Sequence, residues 1–243
     1  MSAPVWFIHG FTGSPGDFDP LLRHMAPRPR WIPAVGEIVG SPPSMGGCLE
    51  ALARRAPASA VIGYSMGGRI ALSFAVDSPE RVGALVLVGA SPGLEHAADR
   101  AAREASDEVL ARRIERDGVD AFCDLWEQNT VLRSQDRIDA AERDALRSRR
   151  RSRDGAELAA ILRGLGTGAM PPLHARLAEL TMPVLLVTGM QDTKFRNIAD
   201  AIAPGIPDCR RLDVPGAGHT AHLERPEIVG PAVDTFLAEV GCG

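Results

Sequence analysis

Short apolar runs, each closed by glycine or proline, recur along the chain: VWFI at 5–8, SAVIGY at 59–64, GALVLVG at 83–89, PVLLVTG at 183–189 and CRRLDVPG at 209–216. Most lack polar alternation and are rich in β-branched residues, the pattern of strands covered on both faces. Helical periodicity appears at 66–77 and again in PEIVGPAVDTFLAEV, 226–240. Strands alternating with helices in this way predict an α/β fold with a mainly parallel sheet of about six strands. The alternation stops between about 94 and 180. There the stretches 95–116, 118–128 and 136–163 are rich in Ala, Leu, Arg and Glu and predict helices. A core formed by 1–92 and 176–243 is therefore expected, interrupted by a helical cap at 93–175.

The run at 59–64 ends in Gly63-Tyr64-Ser65-Met66-Gly67 and passes straight into the helical pattern. A serine between glycines can be no more than a tight turn. Strand, Gly-x-Ser-x-Gly and helix in succession, however, is the setting of a nucleophile elbow. The helix start also offers unpaired N–H groups to developing negative charge. A serine hydroxyl needs a base, and the expected helpers follow in the order acid, then histidine. Asp192 comes just after the run at 183–189, and His219 lies in VPGAGHTAHLERP beyond the last strand. Both fall at carboxyl ends of strands, where open α/β sheets gather their sites. His222 competes with His219 but is expected to pack or bond locally. Asp213 sits within the last strand and is less well placed, and His9 is expected to be structural. The turn at Gly10-Phe11 can aim the Phe11 N–H at the serine. With the Met66 N–H it would form an oxyanion hole, each donor worth roughly 3–4 kcal/mol in a comparable hydrolase.

Composition narrows the classes. The 243 residues suit one domain with an insertion, and a net charge of −4 argues against general nucleic-acid binding. No apolar run approaches the ~20 residues that span a bilayer, and MSAPVWFIHGF lacks the pattern of a signal peptide. Cys48, Cys123, Cys209 and Cys242 are scattered without metal-ligand spacing. A cytoplasmic protein without a metal is expected, acting as a monomer or small homo-oligomer. Positive charge is almost all arginine, Lys194 being the single lysine. RSRRRSRD at 147–154 reads mostly as a solvated helix end.

The segments HGFTGS, GYSMGGR, GMQDTKF and GAGHTAHLERP resemble the α/β-hydrolase superfamily. Arg69 four places after the serine, SPGLEHAADRAAR (91–103), FCDLWEQNTVL (122–132), ALRSRRR (145–151) and DTKF (192–195) resemble one branch of it. That branch comprises the 2-succinyl-6-hydroxy-2,4-cyclohexadiene-1-carboxylate synthases of menaquinone biosynthesis, and the likeness runs from about residue 5 to 230. The resemblance implies an α/β-hydrolase fold, a cofactor-free elimination of pyruvate and a tricarboxylate substrate. It implies Ser65, Asp192 and His219 as the catalytic triad, Phe11 and Met66 as oxyanion donors, and Tyr64, Arg69, Arg103, Trp126 and Arg147 as substrate contacts. Arg100 and Lys194 also match the pattern. Burying a carboxylate requires fixed cations, and Arg69, one helical turn past Ser65, faces the same side. The chain departs from the branch in WIPAVGEIVGSPPS (31–44), around Gly36, where relatives carry Asp-x-Pro-Gly-His-Gly. It departs again in starting almost directly at the first strand and in having Leu132 where an aromatic is common. A small-ester, lactone or carbon–carbon bond hydrolase, or a ligand-binding protein without turnover, remains the alternative at this stage.

Overall fold

The computed structural model describes residues 3–242. Among them six strands form one sheet: β1 (Val5–Ile8), β2 (Arg30–Trp31), β3 (Ala60–Tyr64), β4 (Leu85–Val88), β5 (Val184–Gly189) and β6 (Cys209–Val214). Their spatial order is β2-β1-β3-β4-β5-β6, and every neighbouring pair is parallel. Each of the five apolar runs contains one strand. β2 has no such run to announce it: it is two residues long, at the sheet edge, with Arg30 exposed and Trp31 half-buried. Its pairing (Val5 with Arg30, Trp6 with Trp31) is a consequence of where the chain returns.

Nine α-helices accompany the sheet among the described residues: α1 (Asp19–Leu22), α2 (Met45–Ala53), α3 (Met66–Asp77), α4 (Ala97–Glu127), α5 (Ala140–Arg151), α6 (Gly155–Leu165), α7 (Thr193–Ile202), α8 (Ala221–Glu224) and α9 (Pro226–Glu239). Side chains alternate across a strand, and helices take up both faces. Trp6, Ile8, Val61, Leu85 and Leu186 pack with Leu52 of α2, Ile70 and Phe74 of α3, and Ile202 of α7. Val5, Phe7, Ile62, Val86 and Val187 pack with Leu21 of α1 and with Val229, Val233 and Phe236 of α9. Two covered faces explain why the strands read as unbroken apolar runs. None of these helices is long and apolar enough to cross a membrane.

Helices α4, α5 and α6 fill the interval between β4 and β5. α4 is broken at Gly118 (φ 83°, ψ 168°), a conformation that strains any residue with a Cβ, so the predicted stretches 95–116 and 118–128 meet there. The stretch 136–163 divides into α5 and α6 because Asp154 interrupts it: its side chain accepts from the Glu157 N–H and starts a new helix. Ala111, Ile114 and Phe122 of α4 pack on Leu158 and Leu162 of α6, giving these helices an apolar centre of their own. All the strands end at the same edge of the sheet, and the cap helices roof that edge.

Candidate active site

Ser65 stands between β3 and α3 with φ 51° and ψ −109°. A non-glycine residue held there stores roughly 1–3 kcal/mol of strain. Its N–H donates to the Val88 carbonyl at 2.9 Å, and its own carbonyl accepts from the Arg69 N–H at 3.0 Å. α3 lies so close to β1 that a Cβ on Gly67 would collide with the Ile8 carbonyl oxygen. That approach sets the turn after β1, with Phe11, beside Ser65. Met66 opens α3, so its N–H has no intrahelical acceptor. Phe11, Ser65 and Met66 line one cavity.

His219 and Asp192 reach the serine from two other strand ends. The His219 Nδ1 lies 2.7 Å from Asp192 Oδ2 and donates to it, which leaves Nε2 to accept the Ser65 hydroxyl at 3.2 Å. Asp192 is the N-cap of α7, and its Oδ1 accepts from the Phe195 N–H at 3.2 Å. Both carboxylate oxygens are thus engaged, and the ring is held in one tautomer. At the end of β4, Gly89 (φ 55°) passes under the imidazole, where a Cβ would stand 2.9 Å from the His219 Cε1.

The rival residues are placed elsewhere. Asp213 accepts from the Thr188 hydroxyl at 2.6 Å and pairs with Arg211 on the sheet edge. His222 is buried, its ring 4.5 Å from that of Tyr64 and 5.5 Å from that of Phe18. Neither of its ring nitrogens has a hydrogen-bond partner among the described residues, and burial lowers its pKa from 6.5 to about 3. His9 donates from Nδ1 to the Gly10 carbonyl and accepts at Nε2 from the Val35 N–H, both at 2.9 Å. Burial lowers it to about 4. It therefore stays neutral and pins the turn after β1 to the segment around Val35.

The cavity above Ser65 measures about 340 Å³. Its charged lining consists of Arg69, Arg103, Arg150 and Lys194 against Asp17 and Asp107. Asp17 is answered by Arg149 at 2.8 Å and Asp107 by Arg103 at 2.8 Å. Arg69 is buried, and its Nη1 donates to the Leu165 carbonyl at 2.7 Å. Burial, and after it the neighbouring Arg103, lowers it to about 10, so it remains a cation at neutral pH. Tyr64 and Trp126 also line the cavity; burial pushes the Tyr64 phenol up, and the Trp126 ring meets Phe11 edge-on at 5.5 Å. Lys194 and Leu132 are in the lining as well. Arg100 and Gly36 are not: Arg100 donates to the Leu94 and Glu95 carbonyls, and Gly36 abuts Glu157 of α6.

Arg147 is not brought to this cavity. Its side chain is 40% exposed and pairs with Glu127 at 3.2 Å and Asp144 at 3.9 Å. Arg150, three residues on, takes the inward position. It is buried, its Nη2 donates to the Gln135 side chain at 3.0 Å, and its Nε has no acceptor among the described residues. A sequence signal for this existed. Leu146 is the one large apolar residue of α5, and Arg150 lies one turn beyond it on the same face.

Strand ends, elbow and cap together match what similarity shows. The family model described as alpha/beta hydrolase fold matches residues 55–226, more than half of the chain. The chain belongs to the α/β-hydrolase family. Within that family, a Bacillus subtilis (strain 168) protein is 43% identical over 180 residues, 74% of this chain and 66% of its own length. It is named, provisionally, a 2-succinyl-6-hydroxy-2,4-cyclohexadiene-1-carboxylate synthase. The synthase of that name from Klebsiella pneumoniae (strain 342) is 36% identical over 178 residues, 73% of this chain and 68% of its own length. The solved structure of MenH from S. aureus superposes with a TM-score of 0.89 at 25% identity, covering 99% of this chain and 96% of that one. These alignments thus span about two thirds of the two curated relatives, and almost all of the solved MenH chain.

Proposed function

We propose that this chain catalyses the reaction for which its relatives are named: elimination of pyruvate from 2-succinyl-5-enolpyruvyl-6-hydroxy-3-cyclohexene-1-carboxylate. The observation that carries the reading is the pair of buried guanidiniums, Arg69 and Arg150, in the wall of the cavity above Ser65, with Arg103 at its edge. Burying two cations in one cavity wall is costly unless an anion in the cavity answers their charge. The named substrate supplies three carboxylates, one each on ring, succinyl arm and enolpyruvyl group. A simple acyl ester supplies none.

The substrate's own structure defines the chemistry. The proton on ring carbon 2 is acidified by the succinyl ketone and by the ring alkene. His219, oriented by Asp192, draws the proton from the Ser65 hydroxyl, and the serine oxygen removes the carbon-2 proton. The electron pair passes through the enolate and the alkene and expels the enolpyruvyl oxygen from carbon 5. The leaving enolate takes a proton and becomes pyruvate, and the ring keeps a second double bond. The Phe11 and Met66 N–H groups would hold the transient enolate charge, as oxyanion donors do in acyl transfer. Neither an acyl-enzyme nor a cofactor enters this scheme, and the proposal puts the reaction in the cytoplasm.

The test is pyruvate release, followed by coupled NADH oxidation, from the purified protein and the named substrate. One pyruvate per substrate, with no covalent adduct on Ser65 by intact mass, is the expected result. No pyruvate, together with turnover of a small ester such as p-nitrophenyl acetate through a trapped acyl-Ser65, would make the protein a hydrolase of the same fold.

A further inference from the structure

The loop that carries His219 leaves β6 through Pro215 and then Gly216, Ala217 and Gly218, so the stretch just before the histidine has two glycines and little stiffness of its own. What holds it is Glu224, at the end of α8, with 6% of its surface exposed. Glu224 Oε2 accepts from the Gly218 N–H at 2.7 Å. Its Oε1 accepts from the Thr220 N–H at 3.1 Å and the Thr220 hydroxyl at 2.7 Å. The carboxylate therefore grips the backbone on both sides of His219. A fourth donor comes from the cap: the Ser134 hydroxyl, in the 3-10 segment Thr130–Arg137, donates to Oε1 at 2.9 Å. Ser134 sits so close over Gly218 that a Cβ there would collide with its hydroxyl. From the same segment, Arg137 donates to the Gln191 side chain, next to Asp192, and to the Gly216 carbonyl at 3.2 Å. One piece of cap thus rests on both loops that supply the serine's partners.

We infer that Glu224 is a positioning residue through which Ser134 couples the seating of the cap to the alignment of His219. This rests on the reading of Ser65, Asp192 and His219 as the reacting set. Four donors converge on one carboxylate, and among the described residues no other side chain bonds to both flanking amides. With the 130–137 segment seated, the set of donors is complete and Nε2 is held toward Ser65. With the segment lifted, Oε1 loses its cap donor and the glycine-rich loop is freer to turn. The device commits the site to reaction when the cap covers a ligand and slackens it when the cap is open.

Glu224→Gln presents an amide N–H₂ to the Gly218 N–H, or to Thr220 and Ser134, and so loses one side of the grip. Ser134→Ala removes only the cap's donor and leaves the core untouched. Alignment is read by the rate at which a small neutral fluorophosphonate modifies Ser65, a reaction that needs the histidine but no arginine. The expected result is a fall of ~10–100-fold for Glu224→Gln and ~3–10-fold for Ser134→Ala, about the worth of a hydrogen bond to a charged group. Melting temperature should hold for Ser134→Ala, kcat for pyruvate release should fall in parallel, and KM should stay within about threefold. The double variant should lose little more than Glu224→Gln alone, since Ser134 acts through Glu224. Unchanged modification rates, or losses that merely track the unfolded fraction, would overturn the assignment. So would a wild-type Ser65 that does not react, or full multiplication of the two losses. If the wild type is modified and the variants slow, but no pyruvate is ever released, the proposed reaction fails and this inference stands.

Discussion

Around Ser65 the backbone leaves almost no freedom, whereas the helices roofing the same cavity are specified far more loosely. In the elbow, a strained φ, a glycine touching the Ile8 carbonyl and two hydrogen-bonded loops converge on one hydroxyl. In the cap, arginines bristle outward and find carboxylates wherever the helix brings them: Arg112 with Glu108, Arg163 with Glu108 and Glu115, Arg151 with Asp124. Such exposed pairs are worth about 0–1 kcal/mol each. The contrast teaches that charge count is a poor guide to a roof of this kind. What distinguishes Arg69 and Arg150 from their many neighbours is burial.

The largest effect should come from the elbow. Ser65→Ala should lower turnover ~10⁴-fold or more, the scale of loss on removing a member of such a triad, with melting unchanged. Near-normal pyruvate release would remove the elbow from the chemistry altogether. Next comes the buried part of the cap. Arg150→Met should cost about 2–5 kcal/mol in kcat/KM for the tricarboxylate, the range for losing one partner of a desolvated charge pair. Hydrolysis of a neutral ester should barely respond; equal losses on both substrates would make Arg150 a support of the fold.

A third prediction concerns the core beneath the elbow. Burial takes His222 from 6.5 to about 3 and His9 to about 4. Above pH 6.5 folded and unfolded chains both keep these imidazoles neutral, so neither affects stability. Below 6.5 the unfolded chain takes up protons that the folded chain refuses, and stability falls until the folded values are reached. At pH 5 each histidine costs about 2 kcal/mol relative to pH 7. His222→Phe keeps the ring packed on Tyr64 and Phe18 and abolishes its share. Chemical denaturation should therefore show the variant gaining on the wild type by about 2 kcal/mol between pH 7 and pH 5; equal slopes for the two would mean that His222 titrates normally. The smallest effect belongs to the outward face of α5. Arg147→Met should change kcat/KM by less than 1 kcal/mol. A loss matching that of Arg150→Met would show that the Arg147–Glu127 pair opens to meet substrate.

Much of the core was legible from local pattern, because its physics is local. Strands covered on both faces must be apolar throughout, a tight elbow must have small neighbours, and loops leaving parallel strands converge on one edge of the sheet. VWFI, GYSMG and the order Asp192 then His219 therefore announced their places. The edge strand Arg30–Trp31 did not, since one exposed and one half-buried residue carry no periodic signal and only pairing with β1 makes them a strand. Nor did periodicity by itself settle the roof. In AAERDALRSRRR the apolar positions are three alanines and one leucine, so the helix is predictable while its buried side depends on the single Leu146. Packing turned that side inward and carried Arg150 with it, leaving Arg147 to Glu127. Glu224 was the least visible of all. Its four donors come from 134, 218 and 220, and their meeting depends on the cap being folded back over the sheet. Sequence determined which groups could do chemistry; tertiary structure decided which of them face one another, because burial and hydrogen-bond geometry are properties of the packed chain.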